Sequence, residues 1–373
     1  MGKEKNQVKV IGMYLPQYHA IPENSKFWGE GFTDWVSVKK ATPLFDGHDQ
    51  PRVPLNDYYY DLSKKESIKY QVDLANNYGL YGFGIYHYWF NDQKNLLTKP
   101  AEIILENKDL NIPFFFAWDN ISWKRTWSNI KGNDWAPTVD GQIENKEQSK
   151  FLVEYILGDK PQWKNHFDYL LPFFRDDRYI KKDGKPMFFI YHYAKELEPM
   201  EEYWNDLAKE NGLDGVSIVY RDDLTSKPSK GKNVFHYEPA YSGWGGFFTR
   251  AIAKIKKKLK MDDLKVYSYD KTFRKIIKTA KKNKSQNVYH GCFVNYDDTP
   301  RRGKRGKAVV GGTPEKFAKY LTKLIKINKE QNKEFLFLTA WNEWGEGAYL
   351  EPDKTFGLGY LEGLKKAVEE GNE

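Results

Sequence analysis

Short apolar runs alternate with amphipathic segments along most of this chain. Eight of the runs are rich in β-branched and aromatic residues and are bounded by Gly, Pro, Asn or Asp, which is typical of buried strands. In chain order these runs are residues 8–15, 81–90, 112–118, 187–193, 215–220, 234–237, 288–296 and 335–340. Because strands that alternate with helices form parallel sheets, the pattern predicts an α/β fold.

The segments between the runs carry helix signals. Ser63-Lys64-Lys65-Glu66 has the form of a capping box and predicts a helix that extends to about Asn77. Thr313-Pro314-Glu315 predicts another helix, to about Lys329, since Thr is a favoured N-cap and Pro a favoured first residue. Further helices are predicted at residues 100–107, 146–157, 166–174, 200–211, 251–260, 272–282 and 359–370.

Eight strands are the number that closes a (β/α)8, or TIM, barrel, which typically takes about 250 residues. The chain has 373 residues, and the surplus lies in long loops after the first and third strands. With no linker or internal repeat in view, residues 1–373 are interpreted as one domain. An open doubly wound sheet is the alternative, but no Gly-rich dinucleotide fingerprint follows the first strand.

The net charge of +8 has a local source in residues 250–284, where basic residues crowd two helical patterns. A solvated helix face is the favoured interpretation. Peripheral contact with an anionic membrane, or with an acidic glycan, is the alternative. No recognition motif for nucleic acid accompanies the charge, so a nucleic-acid partner is not expected.

The compartment is predicted from what the chain lacks. Cys292 is the only cysteine and cannot form an intramolecular disulfide, which fits a reducing compartment. The first nine residues are polar and show no secretory signal, and no segment has the length of an apolar membrane span. A cytoplasmic enzyme is therefore expected, and the basic segment leaves peripheral location at the inner membrane face open.

Polar and aromatic side chains collect at the C-terminal ends of the predicted strands, where barrel enzymes place their active sites. Aromatic residues make up 16% of the chain, and their faces can stack on sugar rings. Each of these side chains also has a purely structural interpretation, such as a core histidine or a helix cap. The predicted substrate-binding residues in these strands and loops are Tyr14, Gln17, His19, Trp35, His87, Trp89, Trp118, Asp119, His192, Arg221, Glu238, Asn295 and Asp297.

The last predicted strand ends in two carboxylates, Glu343 and Glu346. The aromatic residues Trp341 and Trp344 and the amide Asn342 flank them and are assigned to substrate binding. Glycosidic cleavage needs a proton donor and a second carboxylate, and two acids close together hold different pKa values. Both are therefore predicted to be catalytic, the alternative being a surface turn in which Glu346 is solvated.

Other motifs are not found. The chain has no Walker A loop, no H-E-x-x-H or G-x-S-x-G motif and no cysteine-based metal site, so neither a metal nor another cofactor is predicted. Asp297 and Asp298 could hold a cation, but a loop turn is favoured. The basic residues that follow are expected to lie in a mobile, solvated loop, and these are Arg301, Arg302, Lys304, Arg305 and Lys307.

Several motifs resemble a known group. The segment Asn342-Glu343-Trp344-Gly345-Glu346-Gly347 resembles the catalytic signature of glycoside hydrolase family 99, the endo-α-mannosidase-type barrels. The segments 13–19 (Met-Tyr-Leu-Pro-Gln-Tyr-His), 28–35 (Trp-Gly-Glu-Gly-Phe-Thr-Asp-Trp) and 82–89 (Gly-Phe-Gly-Ile-Tyr-His-Tyr-Trp) resemble the WbsX-type branch. That branch occurs in bacterial surface-polysaccharide gene clusters and is described as family-99-like or as glycosyltransferase. The resemblance extends over residues 10–351.

The resemblance implies a mechanism with net retention. Glu343 would act as a base on the sugar 2-hydroxyl, which would attack internally to give a 1,2-anhydro intermediate. Glu346 would be the general acid and then the general base for water or an acceptor. One departure bears on specificity: the family-99 hydrolases carry His before the second Glu, where this chain has Gly345.

Three functions fit these predictions. The leading hypothesis is a glycosidase or transglycosylase that cleaves or rearranges a bacterial surface polysaccharide or its precursor, free or lipid-linked. The second is a nucleotide-sugar-dependent glycosyltransferase of lipopolysaccharide O-antigen or capsule biosynthesis. The third is a barrel that binds glycan without catalysis.

Overall fold

Eight parallel strands form a closed barrel in the computed structural model, which describes residues 7–123, 152–223, 228–244 and 264–373. The strands are β1 (Lys9–Tyr14), β2 (Gly82–Asn91), β3 (Phe114–Trp118), β4 (Lys185–Ile190), β5 (Ser217–Asp222), β6 (Val234–His236), β7 (Val288–Phe293) and β8 (Phe335–Thr339). Each pairs with its neighbours in chain order, and β1 pairs with both β2 and β8, which closes the barrel. The predicted (β/α)8 fold is confirmed.

Helices pack around the barrel and follow most strands. They are α1 (Pro22–Trp28), α2 (Trp35–Lys40), α3 (Lys65–Asn77), α4 (Lys99–Glu106), α5 (Lys160–Phe174), α6 (Glu198–Glu210), α7 (Tyr269–Lys282), α8 (Thr299–Arg302), α9 (Pro314–Glu330) and α10 (Gly359–Asn372). The helices predicted from residues 63, 100, 166, 200, 272, 313 and 359 are confirmed, with ends that differ by a few residues. The helix predicted at 251–260 lies outside the described residues.

One predicted helix is wrong in its described part. Residues 152–157 of the segment 146–157 are not helical, because Val153 pairs with Trp123 in an isolated bridge. Trp123 N donates to the carbonyl oxygen of Val153 at 2.9 Å, and the side chain of Val153 is buried. In this extended segment Val153 is buried, whereas Ile156 is exposed.

The two predicted helix caps have different outcomes. The Thr313 side chain accepts a hydrogen bond from Lys316 N at 3.3 Å, so α9 begins as the sequence predicts. The capping box at α3 does not form, because Lys64 is the N-cap and makes no side-chain cap. Ser63 instead donates its main-chain N–H to Asp61 Oδ1 at 2.9 Å in the turn before the helix.

Phenylalanine rings fill the middle of the barrel. Phe189 lies 4.5 Å from Phe115, 4.7 Å from Phe235 and 4.7 Å from Phe337, measured between ring centroids. Gly84 makes room for them, since a Cβ atom there would lie 2.6 Å from the Phe115 ring. The barrel is thus a packed core, and a ligand can only be received above this layer.

Two features near the C-terminal end of the barrel are absent from the sequence predictions. The loop after β1 contains α1 and α2, and a short parallel sheet joins Lys265–Ser268 to Lys307–Val310 beside the loop after β7. Within the described ranges, none of the helices combines the length and apolar character needed to span a bilayer.

Candidate active site

Three carboxylates surround one guanidinium at the C-terminal end of the barrel. Arg301 Nη2 donates to Asp34 Oδ2 at 2.6 Å and to Glu343 Oε1 at 2.8 Å, and Nη1 donates to Glu346 Oε1 at 3.1 Å. The four residues, here called the acid cluster, come from the loops after β1, β7 and β8. The two glutamates predicted to be catalytic therefore lie together, on one face of the same cation.

A small hairpin aims both glutamates. Asn342–Glu343 pairs antiparallel with Ala348–Tyr349, and the 3-10 turn Trp344–Glu346 connects the two strands. Gly347 ends that turn with a φ of 54°, a left-handed conformation that glycine adopts without strain. The Asn342 side chain fastens the hairpin to the loop after β1, because it bonds to both the N–H and the carbonyl of Leu15, at 2.7 and 3.0 Å.

Glu343 is the more buried of the two glutamates. Only 5% of the residue is exposed, and burial raises the pKa of its carboxyl, which Arg301 lowers and the charges of Glu346 and Asp34 raise. The net effect is a pKa of about 8. Glu346 keeps 20% of its side chain exposed. At neutral pH the buried carboxyl thus holds a proton next to a more exposed acid, which is the asymmetry that acid–base chemistry uses.

Asp297 supports the turn Trp344–Glu346, which contains Glu346. Its main-chain N–H donates to the Glu346 carbonyl at 2.6 Å. Its carboxylate accepts from Gln50 Nε2 at 2.8 Å and lies 2.7 Å from His48 Nε2. Since His48 Nδ1 accepts the Leu44 N–H, Nε2 is the nitrogen that donates. Burial alone raises the pKa of Asp297, but these hydrogen bonds and the nearby charge of Arg52 lower it to about 2.

Glu351 lies beneath the same turn among neutral donors. Its carboxylate accepts from Tyr60 Oη at 2.8 Å, Gln71 Nε2 at 2.7 Å and Trp344 Nε1 at 2.6 Å. These four residues are here called the Glu351 cluster. Burial raises the pKa of Glu351 to about 7, against the opposing effect of the three hydrogen bonds. The cluster fixes Trp344, which stacks on Tyr349 at 3.7 Å between ring centroids.

The inward side chains at the strand ends form the wall above the phenylalanine layer. Arg221 lies over the rings of Tyr191 and Tyr237, at 4.7 and 5.2 Å from their centroids. Gln17 Nε2 donates to Tyr88 Oη at 2.9 Å, and the pKa of that phenol is raised by burial and by the charges of Asp119 and Glu343. Of the predicted substrate-binding residues, Gln17, Asp119 and Arg221 thus lie in this mouth with the two glutamates.

Other predicted residues face the helices instead. His87 Nε2 lies 2.8 Å from His166 Nε2 on α5, and Trp89 stacks on the same His166 ring at 4.4 Å. Trp118 also packs on His166, and Tyr14 Oη donates to Gln71 on α3 at 2.6 Å. Because successive strand residues point to opposite faces, it is their neighbours Tyr86 and Tyr88 that face inward on β2. Residues that do not reach the mouth are Tyr14, His87, Trp89 and Trp118.

The remaining predicted residues support the loops. Trp35, Trp341, Asn342 and Trp344 are buried, and His19 is buried in the loop after β1. The Glu238 carboxylate is held by the N–H of Ser242 at 3.0 Å and by its hydroxyl, and burial raises its pKa to about 7. Asn295 is buried against Gly312, where a Cβ atom would lie 2.5 Å from Asn295 Oδ1. His192, at the rim, lies 3.5 Å from Asp119.

Sequence reasoning missed Asp34, Arg301, Tyr18 and Tyr88. The expectation that Arg301 lies in a solvated loop is wrong, because α8 directs its guanidinium into the acid cluster. Tyr18 Oη accepts the N–H of Trp344 at 3.0 Å beside Glu343. Tyr18, Asp34 and Tyr88 lie in the motifs at 13–19, 28–35 and 82–89, so these motifs could have identified them as site residues. Arg301 carries no local signal.

Two of the solved structures that resemble this chain are described as glycoside hydrolases or as similar to them. A family 99 endo-alpha-mannosidase from Bacteroides thetaiotaomicron aligns with a TM-score of 0.51 and 13% identity over 97% of both chains. A structure described as a glycoside hydrolase-like protein aligns with a TM-score of 0.57 and 11% identity, over 98% of this chain and 95% of that one. At these identities the likeness shows the fold.

Comparison of the sequence with known proteins identifies a relative and a family. The uncharacterized protein WxcX of Xanthomonas campestris pv. campestris (strain B100) is 26% identical over 366 residues, 96% of this chain and 49% of WxcX. The chain thus spans about half the length of that curated relative. The family described as Glycosyltransferase WbsX matches residues 10–364. Since that match covers nearly the whole sequence, the chain belongs to the WbsX glycosyltransferase family.

Proposed function

We propose that this protein cleaves or rearranges glycosidic bonds of a bacterial surface polysaccharide or its precursor, with retention of configuration. The observation that supports this most is the acid cluster, in which Glu343 and Glu346 follow one barrel strand and share the guanidinium of Arg301. One of the two is buried and the other is partly exposed, so they can exchange the roles of acid and base in successive steps.

The proposed roles follow the motif around the two glutamates. Glu343, once ionised, takes the proton of the sugar 2-hydroxyl, and the resulting oxygen attacks the anomeric carbon. Glu346 protonates the leaving oxygen as the glycosidic bond breaks, and then deprotonates water or an acceptor hydroxyl that opens the 1,2-anhydro ring. Glu343 returns its proton to the 2-oxygen in that second step. A buried carboxylate with a raised pKa is a strong base once it has lost its proton.

The pH dependence of turnover tests the role of Glu343. Its pKa of about 8 means that the ionised base becomes available only as the pH rises. Because the leaving oxygen must also be protonated, the active pair of glutamates still carries one proton. We therefore expect kcat/KM to rise with pH, to reach a maximum below about pH 8 and to fall above it. A kcat/KM that keeps rising above pH 8 would contradict the role of Glu346 as the acid.

A nucleotide-sugar-dependent glycosyltransferase is the second candidate, and the name of the family favours it. The charges of the described mouth disfavour it. Even with Glu343 protonated, the carboxylates of Asp34, Asp119 and Glu346 outnumber the guanidinium groups of Arg301 and Arg221, so a diphosphate would meet net negative charge among these five groups. The neighbouring Arg302 pairs with Asp298 at 3.2 Å, and its side chain is 57% exposed.

One experiment separates the two candidates. The purified protein is mixed with neutral oligosaccharides or with lipid-linked precursors, with and without nucleotide sugars, and the products are followed by NMR. We expect shortened or rearranged glycans without nucleotide, and none with Glu346→Gln. Glu362→Gln, an exposed acid on α10, is the matched control. Longer products that form only with a nucleotide sugar would overturn the proposal, and so would binding without any turnover.

Contact with a lipid-linked substrate at the inner membrane face is a further part of the proposal. The outer side of α7 exposes a row of basic residues, namely Lys271, Arg274, Lys275, Lys278, Lys281 and Lys282. Such a row is attracted to anionic headgroups. Sedimentation with vesicles that contain phosphatidylglycerol should fall when Lys278, Lys281 and Lys282 are changed to Glu. Unchanged sedimentation would mean that this surface is only solvated.

A further inference from the structure

Arg301 and Gly345 lie against each other in the acid cluster, although they belong to different loops. Arg301 lies on α8 after β7, and Gly345 separates the two glutamates after β8. A Cβ atom built on Gly345 would lie 2.5 Å from Arg301 Nε and 2.9 Å from its Cζ and Nη2 atoms. A side chain at position 345 therefore cannot coexist with the guanidinium in its observed place.

Space, and not backbone conformation, requires glycine at position 345. Gly345 is not among the glycines with a positive φ, whereas Gly347 in the same turn has a φ of 54°. An L-residue could adopt the backbone of Gly345 without strain. The three atoms nearest to a Cβ atom at position 345 all belong to Arg301, so the absence of a side chain there makes room for the guanidinium.

The guanidinium acts as a fixed fork. Its Nη2 atom donates to Asp34 and Glu343, and its Nη1 atom donates to Glu346. The planar group therefore orients both carboxylates that are predicted to be catalytic. A displacement by a side chain at 345 would move Nη2 and weaken two of the three ion pairs together. Lys could supply the charge at this place but not the fork, since its ammonium is a point charge.

The charge of Arg301 also acts on the ionisation of Glu343. It opposes the effect of burial and of the neighbouring acids on Glu343. Three carboxylates and one cation leave the cluster short of positive charge. Removal of Arg301 would make ionisation of Glu343 harder still, and its proton would be lost only at a higher pH.

We propose that Arg301 is a positioning residue that orients the carboxyl groups of Glu343 and Glu346 and favours ionisation of Glu343, and that Gly345 leaves the space in which it lies. The inference rests on the proposed function, because the two glutamates are the groups it positions. Arg301 lies outside the turn Trp344–Glu346, and its position accounts for the glycine between Glu343 and Glu346.

Three variants test the inference by turnover: Arg301→Gln removes charge and fork, Arg301→Lys keeps the charge, and Gly345→Ala keeps Arg301 but fills its space. Arg302→Gln is the control, since Arg302 is the next residue of α8 and pairs with Asp298 at 3.2 Å with 57% of its side chain exposed. We expect kcat to fall by about 10-fold or more in Arg301→Gln and Gly345→Ala, with KM changed much less. Arg301→Lys should restore part of the loss.

A second measurement needs no substrate. The melting temperature of Glu343→Gln minus that of its parent is recorded from pH 5 to 9.5, once in wild type and once in each Arg301 and Arg302 background. The difference begins to grow at the unfolded-state pKa and levels off at the folded-state pKa, so the pH at which it levels off reports the ionisation of Glu343 in the folded protein. We expect this pH to rise in Arg301→Gln and to stay in place in Arg302→Gln.

The outcomes are distinct from those of the proposed function. An unchanged levelling pH together with an unchanged kcat in Arg301→Gln overturns the inference, as does an equal loss of kcat in Arg302→Gln. Full turnover in Glu346→Gln would instead overturn the proposed function, while the melting measurement would still report whether Arg301 governs Glu343. If Gly345→Ala does not fold, the Arg301 variants decide the question alone.

Discussion

Two buried carboxylates eight residues apart, Glu343 and Glu351, lie in very different surroundings. Glu351 accepts three hydrogen bonds from neutral donors that serve no other acid, so its oxygens are saturated. Glu343 shares one guanidinium with two other carboxylates, so the acid cluster lacks donors and positive charge. Both have raised pKa values, because both are buried.

A raised pKa therefore does not by itself identify a catalytic acid. A buried carboxylate whose hydrogen bonds are all satisfied by the protein is part of the scaffold. A carboxylate that lacks donors can instead accept a further hydrogen bond from a ligand. The Glu351 cluster holds Trp344 in place, whereas the acid cluster next to it keeps Arg301 and Glu346 partly exposed. Substitutions in the two clusters should therefore act on different properties.

The largest difference is expected in turnover. Glu343→Gln keeps the shape of the side chain but removes the base, so kcat should fall by at least about 100-fold. Glu351→Gln should change kcat by only a few-fold per folded molecule. Steady-state kinetics at pH 8 on both variants, with circular dichroism as a check of folding, provides the measurement. Equal losses in the two variants would remove the distinction between the clusters.

Stability should show the reverse order. In Glu351→Gln the amide nitrogen faces at least one donor of the cluster, which loses its acceptor in a buried place. The free energy of unfolding should fall by about 1–3 kcal/mol. Tyr60→Phe removes one donor without leaving one unpaired and should cost less. Denaturant unfolding at pH 7.5 measures both, and a Glu351→Gln protein as stable as wild type would contradict the scaffold role.

The pH dependence of stability sharpens the comparison further. The folded-state pKa of Glu343 lies above its ordinary value of 4.5, so the folded protein keeps a proton that the unfolded chain releases. The stability linked to this proton is complete below pH 4.5 and is lost as the pH rises through about 8. Glu343→Gln escapes the loss and should melt a few degrees above wild type at pH 8.5 but not at pH 5. A constant offset across this range would contradict the raised pKa.

The smallest effect is expected at the wall of the mouth. Tyr88→Phe removes a hydroxyl that faces the acid cluster, so KM should rise by about 3- to 10-fold with little change in melting temperature. Trp89→Phe alters the next residue of β2, which packs on α5. It should lower the melting temperature and leave KM unchanged. The opposite pattern would mean that the outward face of β2 binds the ligand.

Much of the fold could be predicted because each strand is a bounded apolar run. The run at 335–340 corresponds to β8 (Phe335–Thr339), and Thr313 marks the start of α9. The error at 152–157 has a physical reason. An apolar segment buries itself equally well as a helix or as extended chain, and here the pairing of Trp123 with Val153 decides.

The two glutamates were predictable as a pair because a single turn holds them. The direction of the β2 side chains was not, since an inner strand buried on both faces has no polar alternation to mark its inner side. His87 and Trp89 were therefore expected where Tyr86 and Tyr88 lie. Arg301 meets Asp34 across 267 residues of sequence, and only the closure of the barrel defines that contact.

The hairpin that carries Glu343 is fastened to Leu15, 327 residues earlier in the chain. During synthesis, which adds about 5–20 residues per second, β1 must wait many seconds for β8 to emerge. Until then the half-built sheet exposes the unpaired edges of β1 and β7, which invite association with other chains. The acid cluster is among the last parts to form, so messages truncated before β8 would yield chains that lack it and are prone to aggregate.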